Sequence, residues 1–150
     1  MTIRHLQNSD VPALLPLMQA FCVHEQLQWD SAQRSRLLQQ LLENPQFGAV
    51  LLAEHDRQLA AYAVIGFCFS LEFAGRFALL DELYVAPEQQ GQGLGKRLMQ
   101  AARQLAAEHH CPAIRLEVSD DNPKARDIYQ RSGYRMQPRR LMSQWLELAP

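Results

Sequence analysis

The chain has few cysteines, no excess of either charge and no long apolar run. Cys22, Cys68 and Cys111 are odd in number and widely spaced, which argues against a disulfide framework and fits a reducing compartment. No apolar stretch approaches the roughly 20 residues that a membrane helix needs. The first residues lack a basic segment followed by an apolar one, so no signal peptide is expected. The cytoplasm is the expected location, with no membrane partner. Fifteen Lys and Arg stand against sixteen Asp and Glu, a net charge of −1, so there is no global basic field to argue for nucleic acid. His109-His110-Cys111 is the one grouping of metal-type side chains, and adjacent residues at a helix end rarely converge on one ion. No metal is expected.

What the chain does have is a core. With 150 residues and 47% hydrophobic content, a single domain over residues 1–150 is expected. Thr2 to Leu6 reads as a strand. Ser9-Asp10 caps a helix whose apolar stripe is Val11, Leu14, Leu15, Met18, Phe21 and Cys22. Asp30 or Ser31 caps a second helix carrying Leu37, Leu38, Leu41 and Leu42, which Asn44-Pro45 stops. Ala49–Ala53 and Leu59–Phe69 read as a hairpin with a loop of moderate length across 54–57. Phe77–Val85 is a further strand. Leu94, Leu98, Met99, Ala102, Leu105 and Ala106 then form a helical stripe, and Ile114, Leu116 and Val118 alternate as a strand. Asn122-Pro123 opens another helix and Gly133 ends it. Arg139–Leu148 alternates as a last strand, with a short one near Tyr134. The order predicts an α/β (α+β) fold with helices on a mixed sheet.

Three of the seven glycines fall within "QQGQGLGK", residues 89–96, between a strand and a helix. A nucleoside-triphosphate P-loop fails here, because it would need glycine at Gln90 and Ser or Thr at Arg97. The dinucleotide fingerprint is weakened, because its third glycine would fall at Lys96; its acidic partner would be Glu117. A third pattern, Gln/Arg-x-x-Gly-x-Gly/Ala, is met by Gln90, Gly93 and Gly95. Such a turn aims several backbone N–H groups at one place in front of a helix dipole, which favours a pyrophosphate. A turn that simply needs positive φ competes on equal terms.

The stretches "LLDELYVAPEQQGQGLGKRLM" and "NPKARDIYQRSGYR" together resemble the GNAT superfamily of acyl-CoA-dependent N-acetyltransferases. Their order, spacing and the preceding strand–helix–helix–strand–strand layout all match. The resemblance implies a mixed, mostly antiparallel sheet of six to seven strands with helices on both faces, splayed between strands 4 and 5. It implies acetyl-CoA as co-substrate and a small amine as acceptor, polyamine-like or amino-acid-like, with direct transfer in a ternary complex. Acyl transfer to a peptide or protein amine, or a silent acyl-CoA sensor, are the other readings. A homodimer through the terminal strand with Trp145 is also implied.

Residue by residue, the resemblance places the pantetheine arm along Leu83, Tyr84 and Val85. The pyrophosphate falls on the turn made by Gln90, Gly91, Gln92, Gly93, Leu94, Gly95 and Lys96. Asn122 sits near the reactive end, Lys124 meets a phosphate, and Tyr129 points its hydroxyl at the sulfur. Asn122 and Tyr129 are seven residues apart, about two helical turns, so both can face one ligand. An alkylammonium, with a pKa near 10, must lose a proton before it attacks. Asp81 and Glu82 are the candidates to bind or deprotonate it. They are adjacent in a strand and so face opposite ways. Glu82 is preferred, although a bulge would swap the faces. The structural alternative is an acid paired with Arg76. Glu72 and Arg76 are candidates to line the acceptor pocket.

Overall fold

A computed structural model describes residues 1–147. The elements in order are β1 (Thr2–His5), a 3-10 turn (Asn8–Asp10), α1 (Val11–His24), α2 (Ser31–Glu43), β2 (Gly48–His55), β3 (Gln58–Ser70), a 3-10 turn (Leu71–Phe73), β4 (Gly75–Val85), a 3-10 turn (Pro87–Gln89), α3 (Leu94–Glu108), β5 (Ile114–Arg115) and α4 (Pro123–Arg131). They fall into two compact units, Met1–Glu117 and a second that begins at Val118.

The first unit is one five-stranded sheet in the order β1-β2-β3-β4-β5, antiparallel except for the parallel pair β4–β5. Alternation along the strands gives it two apolar faces. Val50, Leu52 and Tyr62 form one cluster with Leu14 and Met18 of α1 and Leu38 of α2. Leu51, Ala53, Ala61, Ala63 and Ile65 point the other way and are equally buried. There α3 packs on β2, β3 and β4 with Leu94, Leu98, Met99, Ala102 and Leu105.

Local chemistry explains most boundaries. Asp30 caps α2 by accepting from Gln33 N at 2.9 Å. Asp10 precedes α1 but does not cap it. Its carboxylate instead accepts from Gln7 N at 2.8 Å and from Arg4 at 2.6 and 2.8 Å. Arg4 also reaches Glu54, at 2.5 and 2.9 Å. The Arg4 guanidinium holds the Asp10 carboxyl below its ordinary value of 3.8. A depressed folded value means that the pair's stability is present above the unfolded value and is lost as pH falls through the folded one. Urea midpoints are therefore expected to drop below about pH 4, and to drop less in Asp10→Asn, which starts lower at pH 7.

The structure corrects several further expectations. The sheet has five strands rather than six to seven. β5 is two residues long, and no strand forms near Tyr134 or across 139–147; Leu148, the last residue of the expected terminal strand, lies outside the described residues. The β2–β3 connection is tight, because His55 pairs with Gln58 and the two residues between, Asp56 and Arg57, both take positive φ (50° and 63°). Arg76 pairs with His109 Nδ1, at 3.4 Å, and with no strand acid among the described residues. It lies over the Phe67 ring, 5.1 Å from the centroid, on the α3 side of the sheet, so it does not line the face that carries Glu82.

Candidate active site

β4 is the spine of the site. Its pairing with β5 is confined to Ala78↔Ile114 and Leu79↔Arg115, and from Leu80 onward that edge has no strand partner among the described residues. Ala86 N donates to Ala60 O at 2.9 Å. That peptide plane turns the Val85 carbonyl to the open side, and the two-residue repeat gives Leu83 the same orientation. The Val85 carbonyl accepts from Gln90 Nε2 at 3.2 Å. The side chain of Tyr84 points instead under α1, with its ring 6.3 Å from Phe21 and 6.2 Å from Tyr62. Burial, and then the nearby Glu88, push its hydroxyl pKa up.

The strand leads into the glycine turn. Gly91 and Gly93 take φ of 80° and 79°, and Gly93 is the N-terminal cap of α3. A Cβ on either would meet nothing within 4 Å, so the left-handed backbone alone asks for glycine there. Gly95 is different: its φ is not positive, and a Cβ would come 3.6 Å from Val85 Cγ2, an ordinary contact. The first ladder bond of the helix is Arg97 N to Gly93 O, and no side chain caps the end. The N–H groups of Leu94, Gly95 and Lys96 therefore precede the ladder, with the helix dipole behind them. Leu94 buries its side chain and anchors the turn, whereas Gln90, Gln92 and Lys96 are exposed.

Asp81 and Glu82 are separated by a bulge, with Leu80 opposite Ile65 and Glu82 opposite Val64. Asp81 is the extra residue and is exposed. Glu82 turns to the α1–α2 face, 8% exposed. Its Oε1 accepts from Arg34 Nη1 at 2.5 Å and its Oε2 from the Tyr62 hydroxyl at 2.8 Å. Arg34 Nη2 also lies 3.3 Å from the Sγ of fully buried Cys22. Burial, followed by the Glu82 charge and its hydrogen bond, drives the Tyr62 pKa far up, so it stays a donor. Burial is the largest single influence and works against the Arg34 charge, but the Glu82 bond and the Glu82 charge together outweigh it and the net shift is upward. Arg34→Met would strand the carboxylate. Breaking a fully buried pair costs about 3–5 kcal/mol. Arg34 keeps a fifth of its side chain in water, with 20% exposure, so a loss of roughly 2 kcal/mol is expected in chemical denaturation, restored in part by Arg34→Lys.

The second unit carries the remaining candidates. Asn122 Oδ1 accepts from Ala125 N at 3.1 Å, so it caps α4, with Pro123 at the first position and Lys124 exposed beside it. Tyr129 stacks edge-on against Tyr134, centroids 5.9 Å apart. Gly133, at φ 93°, follows the end of the helix.

Sequence reasoning missed Arg34, Tyr62 and Arg115. Arg34 carried a readable signal. Arg34, Leu38 and Leu41 recur at helical spacing, which sets a charge on the buried stripe. Arg115 shares a register position with Leu79 and lies over the Phe73 and Phe77 rings, 5.4 and 5.7 Å from their centroids.

An open strand edge that runs into an uncapped, glycine-rich helix start is the architecture of a protein that holds an extended, pyrophosphate-bearing ligand. Residues 14–134 match the model of the Acetyltransferase (GNAT) family. An uncharacterized N-acetyltransferase of Bacillus subtilis (strain 168), YhfO, is 28% identical over 134 residues, 89% of each chain. The thialysine N-epsilon-acetyltransferase of Sus scrofa is 34% identical over 100 residues, 62% of this chain and 58% of that one. An integron cassette protein from the mobile metagenome of Cole Harbour Salt Marsh superposes with a TM-score of 0.87 at 26% identity, covering 98% of this chain and 91% of the other. The chain belongs to the GNAT acetyltransferase family. It is an acyl-CoA-dependent N-acetyltransferase, and acetyl-CoA is the co-substrate that the family uses.

Proposed function

We propose that the chain transfers the acetyl group of acetyl-CoA to a primary amine of a small molecule, by direct attack in a ternary complex. The observation that carries this reading is the unpaired edge of β4 running into the uncapped start of α3. The pantetheine amides extend the sheet along Leu83 and Val85, with Gln90 releasing the Val85 carbonyl as they arrive. The pyrophosphate takes the N–H groups of the turn from Gly91 to Lys96. Gly95 leaves room for its approach, and Lys96 and Lys124 add positive charge. Asn122 binds near the thioester. The acceptor enters on the Glu82 face and attacks the acetyl carbonyl as a neutral amine. The C–S bond breaks, and Tyr129 donates its hydroxyl proton to the departing sulfur. Asp81 or Glu82 binds the amine and takes up the proton that it loses on attack. The enzyme works as one domain in the cytoplasm, as a homodimer.

Thiol release from acetyl-CoA, measured against polyamines, amino acids, aminoglycosides and short peptides with a no-acceptor control, tests this. Release that depends on one small amine is the expected result. Release with peptides alone would replace the acceptor class with a protein or peptide amine. Tight acetyl-CoA binding without release from any acceptor would replace the enzyme by a sensor.

A further inference from the structure

Gly48, Gly66, Leu79 and Arg115 stand in register across four strands. Two residues along β3, the neighbouring row is Val50, Val64 and Glu82. Residues in register, or two apart on one strand, share a face. Arg115 and Glu82 therefore share one, with backbones about 7 Å apart along the strands and about 5 Å across them. Leu79 lies between them on this face, and beside it Gly66 leaves open space, because a Cβ there would meet nothing within 4 Å.

The two charged ends of this face differ. Glu82 is already neutralised by Arg34, and its second oxygen is taken by Tyr62. Arg115 is held differently. Its guanidinium rests on two rings that lie 4.9 Å apart. A guanidinium fixed by stacking presents its N–H edge to a carboxylate as a fork, at little cost in side-chain entropy.

We infer that the acceptor amine also carries a carboxylate, which Arg115 binds. The inference rests on the small-amine reading above and narrows it. The spacing of the two rows suits an amine at the end of a side chain, as in lysine, rather than an α-amine. Polyamines are disfavoured, because Arg115 repels a second ammonium. Asp81 and Glu72 are exposed, where solvent and salt weaken their pull.

Matched acceptors that differ only by the carboxylate test the inference: L-lysine against cadaverine, and L-ornithine against putrescine. We expect kcat/KM to favour the carboxylated member by tenfold or more. In Arg115→Gln that ratio should collapse toward one through KM, and Arg115→Lys should keep part of it. Equal or better use of the diamines by the unaltered enzyme overturns the inference. So does an Arg115→Gln variant that melts normally and lowers both members of a pair equally. Release with diamines alone overturns the carboxylate inference and leaves the small-amine reading standing. Release with no small amine of either kind overturns both.

Discussion

Tyr129→Phe is expected to lower kcat by about 100-fold or more while acetyl-CoA affinity changes by less than threefold. The expectation comes from the energetics of the leaving group. A thiolate departing from a tetrahedral intermediate gains from a positioned O–H donor, and such donors contribute about 10²–10⁴ in rate. Phenylalanine keeps the ring and its edge-on packing against Tyr134 but deletes the proton. The effect should therefore fall on turnover and spare binding and folding. Single-turnover rates, calorimetric titration of acetyl-CoA and a melting curve separate the three. A kcat within a few-fold of the unaltered enzyme would remove Tyr129 from the chemistry and leave it a packing residue.

Gly48→Ala is expected to cost more than about 3 kcal/mol, enough to deplete the soluble protein. Gly48 opens β2 opposite Gly66, with φ of 153°. A Cβ there would stand 2.0 Å from the Ile65 carbonyl oxygen, and 3.0 Å from its carbon. Backbone atoms of a central strand cannot step aside as a flexible side chain can. The two strands would have to part, at a place where Val50, Leu52 and Tyr62 depend on their pairing. Overpacking of an ordinary core costs about 1–3 kcal/mol, and a clash with fixed backbone belongs above that range. Gly66→Ala is the control. Its Cβ enters open space, so its urea midpoint should stay close to that of the unaltered chain. Equal stability of the two variants would show that β2 and β3 adjust freely.

These two sites also mark what the chain's letters reveal. Tyr129 lies in a helix whose limits are written locally: Asn122 caps it, Pro123 fits its first position and Gly133 ends it. Asp30 announces α2 in the same way. Such signals act over three or four residues, so they survive in a linear reading. The quartet of Cys22, Arg34, Tyr62 and Glu82 does not. Arg34 and Glu82 are 48 residues apart, and only the folded sheet brings them together. The bulge at Asp81 is similar. It is a mismatch between two strands, and neither strand's own pattern records it. The tight turn at Asp56-Arg57 escaped because neither residue is the glycine or asparagine that usually takes positive φ in pairs. The alternation across 139–147 shows the opposite failure: a strand-like pattern with no ladder formed.

The open edge of β4 also bears on how the protein keeps in solution. From Leu80 to Val85 its outer edge has no strand partner among the described residues, a template for any extended chain nearby. Gln90 blunts that edge at one carbonyl only. A co-substrate lying along the strand would cover the rest. The enzyme should then resist aggregation better in a cell rich in acetyl-CoA than in a starved one, and its working lifetime would follow the supply of the molecule it consumes.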